Sequence, residues 1–339
     1  MHVGVVFQGG RKTVFLERRG RIYDVNKLLI DHAEDIHEID SSDRYLFEPS
    51  NIFNTSRAQE RLRRVDDFLV NKIEQNGDAL AAAKIPESSA RYLPPVPECP
   101  CMFGVVQNSP QFWRDKEEDI KKSLVAGYIR APGSLIGHNE RVEIPAYCGS
   151  FRCAAELGVV VGREAKNVHV QDAMDHVFGY TCVNDMISNF WKKYAQEQNP
   201  DNSPDFYEYL INSYYGRGTK DFGPVGPFIV SKDEVDDPYN ILLYTKLNGR
   251  IIDRSYNNAM IFDIKTVISR LSSMMTLKPG TIIHMGTMGC DGITIEESRK
   301  LDRSDYIEIE IEKVAMLKNY FEDRRDGRVE SPLDHSCQQ

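Results

Sequence analysis

The heptapeptide AELGVVV, at positions 155–161, constrains this 339-residue chain more than any other segment. After Glu156 it carries no polar side chain, so a strand built from it has no face to give to water and must lie inside a sheet covered on both sides. A layered β core follows from that requirement alone. The one residue that violates the apolar run is Glu156, at its mouth. An ionised carboxylate placed there is costly unless it is paired or binds a metal, so the same segment that specifies the core marks a candidate site.

Other segments fill in the layers. YIEIEIE, at 306–312, alternates cleanly and predicts a strand with one face to water. Asp263 is placed to cap a helix whose apolar positions Ile264, Val267, Ile268, Leu271 and Met275 follow helical spacing until Pro279 and Gly280 stop it, with the methionines as core filler. The N-terminal 90 residues open with VGVVF and KTVFLER around Gly9 and Gly10, a hairpin pattern, and continue into an amphipathic helix within 56–84, with Leu62, Val65, Phe68, Leu69 and Ile73 on one face. RYLPPVPECP, at 91–100, carries four prolines and is the expected domain junction. The expected organisation is a small N-terminal accessory domain at 1–95, a larger mainly β domain with α elements (α+β) at 100–320, and a polar, aperiodic tail at 321–339 expected to be disordered.

Charge and cysteine usage narrow the function. The formal net charge is −9 with no basic block, so the electrostatic footprint of a nucleic-acid binder is missing. No segment approaches the roughly 20 apolar residues of a membrane helix, and the N-terminus lacks the apolar core of a signal peptide. Seven cysteines at irregular spacing read as reduced thiols, and a cytoplasmic location is expected. Cys99 and Cys101 lack a second Cys/His pair, and His32, Glu34 and His37 lack the i, i+4 spacing of a helical metal motif, so neither group is read as a metal site.

Asp185 closes GYTCVND, in a polar turn between an apolar stretch and FWKKY. Two carboxylates converging from a strand and a loop suit magnesium or manganese, hard cations held by carboxylates, waters and substrate oxygens. The alternative is an exposed strand-end Glu156 and a turn-capping Asp185. His284, inside a strand pattern, reads as a satisfied core histidine rather than a base.

AELGVVVGREAKNVHVQDAMDHVFGYTCVND resembles the pattern of the fumarylacetoacetate hydrolase (FAH) family: a Glu-x-Glu before a buried strand, a Gly-Tyr-Thr, then an Asn-Asp bearing the third metal ligand. YIRAPGSLIG, FGPVGPFIV, LYTKLNGRIIDRS, NNAMIFDI, LKPGTIIHMGTMG and SDYIEIEIEKVAMLKN follow in the family's order. Each piece alone is common; their shared order over about residues 101–319 carries the resemblance. It implies an FAH-type mixed β-sandwich/β-roll catalytic domain beside a small N-terminal α/β domain, a homodimer formed through the C-terminal domain, and Mg2+ or Mn2+ held by Glu156 and Asp185. It also implies substrate contacts from Arg130, Arg217, Asn257 and Thr287. The family's catalytic lysine aligns with Lys220 in KDFG or, without a gap, with Arg217; Lys220 reproduces the Lys-x-Phe-Gly form directly and is the expected catalytic residue.

The departures from the pattern bear on the reaction. The first ligand Glu of the family falls on Ala154, which implies weakened metal binding. The His of the lid motif falls on Phe112 in NSPQFWRD and its Glu on Asp115; Met288 replaces a proline after Thr287; and a long aromatic and acidic insertion occupies 195–216, readable as a lid or as a surface loop at a dimer contact. The family chemistry binds a 2-keto or 1,3-diketo acid on the metal, which stabilises the enolate formed when a C–C bond breaks or a proton moves, with lysine adding positive charge. Three readings follow. One is a metal-dependent C–C hydrolase that uses another base, Asp115 or His284; the second is a lyase or isomerase needing only enolate stabilisation; the third is a catalytically silent binding homologue. An arginine or lysine found neutralising the two carboxylates would favour the third.

Overall fold

In the computed structural model the described residues are 1–36, 47–53, 55–76, 80–113, 117–191, 211–288 and 292–325. Ala155–Val161 is a strand with every residue buried, deep in a 12-stranded sheet. Val177–Asn184 pairs with it antiparallel on one side and Ile282–His284 on the other. The covering of its two faces explains the architecture. Leu157, Val159 and Val161 pack into a core shared with Leu243, Ile309 and Leu317 of a five-stranded sheet and with Val267 and Leu271 of the helix Ile264–Met274. Val160 points the other way, into a core with Leu62, Val65 and Leu69 of the helix Ser56–Asn76. A strand with no polar face thus requires the N-terminal segment as its second cover.

For the same reason the sheet does not stop at the proline-rich junction. His2–Gln8 pairs antiparallel with Gly223–Ser231, so the N-terminal hairpin extends the sheet of the larger unit across the boundary expected at 95–100. That hairpin turns at Gly9 and Gly10, both at positive φ, between Gln8 and Arg11, as its sequence predicts. The Asp263 carboxylate accepts from the Thr266 N–H at 2.7 Å and caps its helix, but Met274 is exposed, and only Met275 packs on the core as filler. The alternating strand Tyr306–Ile311 is less open than expected: Glu308 is buried because Lys318, 3.8 Å away, folds over that face. The strand Ala315–Asp323 and the buried pair Arg325–Asp323 carry ordered chain past the expected start of the tail, the rest of which lies outside the described residues. Burial pushes the thiols of Cys99, Cys153 and Cys182 up to about 12, as suits inert, reduced cysteines. Among the described residues no helix is long and apolar enough to cross a membrane.

One glycine positions the site. Met102–Val105 lies between Gly127–Arg130 and Ile282–His284, with Gly104 opposite both Tyr128 and His284. A Cβ on Gly104 would stand 2.5 Å from atoms of both rings. Its absence lets Tyr128 and His284 meet across the intervening strand, with ring centroids 5.6 Å apart. Gly104→Ala is therefore expected to cost about 1–3 kcal/mol, as overpacking does, read as a lowered melting midpoint. Gly133→Ala, where a Cβ meets nothing within 4 Å, serves as the control and should melt like the native protein.

Candidate functional site

Asp185 emerges from the end of Val177–Asn184, and its N–H donates to the Ala154 carbonyl at 2.9 Å. The carboxylate is buried, and both of its oxygens are occupied. Oδ1 accepts from Arg130 Nη2 and, at 2.6 Å, from the Tyr128 hydroxyl; Oδ2 accepts from Arg217 Nε at 3.1 Å. Arg130 cannot swing away: its Nη1 donates to the carbonyls of Arg217 at 2.7 Å and Phe222 at 2.9 Å, and the side chain is fully enclosed. Arg217 lies on the Tyr128 ring, its guanidinium carbon 4.4 Å from the centroid. Burial alone would raise the Asp185 carboxyl, but Arg217 and Arg130 outweigh it and hold the group well below the usual carboxylate range. Arg217 is shifted the opposite way: burial works against its charge, and Asp185 more than compensates.

Glu156 is equally occupied. Oε2 faces His284 Nδ1 and accepts from the Gly286 N–H at 3.0 Å, while Oε1 accepts from Thr287 Oγ1 at 2.8 Å. His284 Nε2 lies 3.2 Å from the Tyr128 oxygen. Tyr128 has one proton, and its shorter contact gives that proton to Asp185. His284 bridges Tyr128 and Glu156 through its two ring nitrogens. The site is a continuous chain from Arg217 and Arg130 through Asp185, Tyr128, His284 and Glu156 to Thr287. It sets two guanidinium groups against two carboxylates.

The expected residues separate on this geometry. Glu156, Asp185, Arg130, Arg217 and Thr287 come together, but the two carboxylates are linked through Tyr128 and His284. Lys220, the expected catalytic lysine, is not among them: its side chain is 69% exposed, and its ammonium stands 3.8 Å from Glu143. The structure places Arg217 beside Asp185 instead, the assignment that needs no gap. Arg130 is turned inward and has no face for a substrate. Asn257, also expected to bind substrate, is buried and donates to the Pro238 carbonyl at 2.7 Å, which makes it part of the frame. Phe112 is half-buried in the turn Pro110–Phe112; Asp115 and most of the 195–216 insertion lie outside the described residues. His284 is fully buried with both nitrogens partnered, as a satisfied core histidine should be, yet it also joins the two carboxylates. Tyr128 was not singled out from the sequence. The available signal was its i, i+2 spacing from Arg130, which puts both side chains on one face of a strand.

The divalent ion that the sequence pattern implies does not fit these residues. Every oxygen of Glu156 and Asp185 already accepts a hydrogen bond, two guanidinium groups touch Asp185, and Ala154 supplies no third carboxylate. Among the described residues no group of three or more His, Cys, Asp and Glu side chains is placed to hold a metal.

Residues 101–322 match the model of the fumarylacetoacetate (FAA) hydrolase C-terminal domain. The chain belongs to that family. Among its relatives is a mitochondrial oxaloacetate tautomerase of Homo sapiens, 26% identical over 235 residues, covering 69% of this chain and 70% of the relative. The FAH fold recurs in a maleylpyruvate hydrolase from Sphingobium sp. SYK-6, solved with manganese(II) and pyruvate (TM-score 0.63, 21% identity, 95% of this chain and 99% of that one). It recurs again in a 5-carboxymethyl-2-hydroxymuconate delta-isomerase from Mycobacterium smegmatis (TM-score 0.63, 20% identity, 96% and 100%). The α+β architecture expected from the sequence is thus the FAH fold, whose members named here are hydrolase, isomerase and tautomerase enzymes.

The charge arrangement sets a pH test. Because the Asp185 carboxyl is held below its unfolded value, its contribution to stability is complete above that value, near 3.8, and is lost as pH falls through the lower folded value. Asp185→Asn leaves two arginines facing a neutral amide and is expected to cost about 3–5 kcal/mol at neutral pH, as breaking a buried pair does. That deficit should shrink as the pH is taken below 3.8. A deficit that stays constant down to the acid limit of the native fold would show that the charge of Asp185 is not what the arginines require.

Proposed function

We propose that this family member takes a small 2-keto or 1,3-diketo acid and moves a proton on it, by keto–enol interconversion or double-bond isomerisation, with fixed side-chain cations holding the enolate. The observation that carries this reading is the set of Arg217. Its Nε is bound to Asp185, its plane rests on Tyr128, and its two Nη groups make no hydrogen bond among the described residues. With 14% of the side chain exposed, that leaves a planar fork with donors to spare, the geometry that pairs with a carboxylate or an enolate oxygen. Asp185 prevents the fork from turning, and the guanidinium donors left over favour an anion. Fixed donors of this kind stabilise the charge that develops in the transition state without reorganising.

Hydrolysis needs a base for water. His284, one of the two bases considered, is enclosed and bonded at both nitrogens, so it is not placed to activate a water for C–C cleavage, whereas keto–enol interconversion can exchange its proton with solvent water once the enolate is held. A second reading, ligand binding without turnover, has its own support in the two arginines that neutralise Asp185. The enol absorbance of oxaloacetate separates them: the native chain is expected to accelerate its decay, and Arg217→Ala to lower kcat/KM by about 10²–10³-fold, the usual cost of one oxyanion donor. Lys220→Ala should change nothing. Release of pyruvate from an acylpyruvate would restore the hydrolase reading, and binding of the acids without any turnover would establish the silent one.

A homodimer through the C-terminal unit is part of the same proposal. Its support is apolar surface on the five-stranded sheet: Ile251 and Tyr256 on its edge strand Arg250–Tyr256, and Met316 within it, are all exposed. Light scattering should give twice the 38.7 kDa chain mass, and a monomer mass at micromolar concentration would end the idea.

A further inference from the structure

We infer that Arg130 and Arg217 take the electrostatic place of the divalent ion in this chain, so that the site assembles and keeps its shape without metal. The inference is independent of the reaction proposed above, since a binding homologue without turnover would carry the same cations.

Two buried carboxylates must be compensated by something. A divalent ion is one solution, and it needs free oxygen lone pairs aimed at a common point. Here each of the four carboxylate oxygens already accepts from or faces a donor. Arg130 is held by two backbone carbonyls while its other nitrogen serves Asp185 and Tyr128. Glu156 is clamped from three directions by the His284 ring, the Gly286 N–H and the Thr287 hydroxyl. An ion approaching Asp185 would have to displace Arg217 from Oδ2 and then sit against the two guanidinium charges, a repulsion that a buried setting screens poorly. Ala154 fits this account. Its carbonyl is tied to the Asp185 N–H, so a carboxylate at position 154 would add a third negative charge where two guanidinium groups face two carboxylates. Loss of a ligand and gain of fixed cations are two sides of one charge balance.

The test reads metal binding and melting rather than activity. Mn2+ is titrated into the purified full-length chain while the electron paramagnetic resonance signal of the free ion is followed, and thermal midpoints are taken with Mn2+ and with EDTA. For the native protein the free-ion signal should be undiminished at equimolar protein, and neither additive should move the midpoint. The double variant Ala154→Glu with Arg217→Met, which restores a carboxylate and removes the movable guanidinium, should bind Mn2+ at least about tenfold more tightly than the native chain. Should that variant fail to fold, Arg217→Gln alone is read: Mn2+ should raise its midpoint while leaving the native midpoint where it was. Stoichiometric Mn2+ uptake by the native chain, or a native midpoint lowered by EDTA, overturns the inference. So does a folded double variant that gains no affinity, or an Arg217→Gln variant indifferent to Mn2+.

Discussion

The structure around the site depends on the Asp185 carboxylate, buried with a guanidinium on each oxygen. Take it away and Arg130 is a fully enclosed charge with only carbonyls and a phenol for company, while Arg217 loses the contact that fixes its plane. Burial of such a cluster is favourable only when each member is satisfied, because an uncompensated charge in the interior costs several kcal/mol. Satisfaction is nearly complete here, the Arg130 Nε being the exception. The cluster therefore behaves as one unit, and the role of each side chain is set by what the others need.

The fold supplies the positions at which that unit can form. Glu156 and Asp185 sit at the same end of neighbouring antiparallel strands, with Ala155 opposite Asn184 and Glu156 opposite Val183. His284 comes from the strand on the other side of Ala155–Val161, and Tyr128 from two strands away. In an ordinary sheet those last two side chains would be separated by whatever stands on the strand between them. Gly104 removes that obstacle, and the network can cross the sheet without leaving the interior.

Much of the fold was legible in the sequence because burial on two faces and alternation on one leave different patterns, and Ala155–Val161 shows the first without ambiguity. The hairpin at Gly9 and Gly10, the helix containing Leu62 and Leu69, and the Asp263 cap follow from local rules that tertiary contacts did not overturn. The continuity of the sheet through His2–Gln8 and Gly223–Ser231 was not legible, since pairing over such a separation leaves no mark in either strand. Within the site, Glu156 stood out as a carboxylate beside an apolar run and Asp185 through the family pattern. Between Lys220 and Arg217, the local string KDFG favoured Lys220, whereas the structure puts Arg217 beside Asp185 and leaves Lys220 exposed. Arg217 reaches Asp185 because of where the chain turns before Gly223–Ser231, and a string match carries no information about that turn. Tyr128 escaped, and the bridging place of His284 with it, for a different reason: the two rings meet across Gly104, and no single-residue reading contains a pair.

These contacts also bear on how one fold supports different chemistries. A metal offers two positive charges at a point and free coordination positions, and its strength depends on the anions around it. Guanidinium groups offer single charges spread over planes, with directions fixed by the hydrogen bonds behind them. The first arrangement suits a reaction in which water must be activated and a carbonyl polarised together. The second suits one in which an anionic oxygen is held still while a proton moves, because little beyond a positioned positive charge is required. In this chain the side chains that surround Asp185 and Glu156 have the second character, and the residue that would have served the first, at position 154, is an alanine whose only polar contacts are those of its backbone.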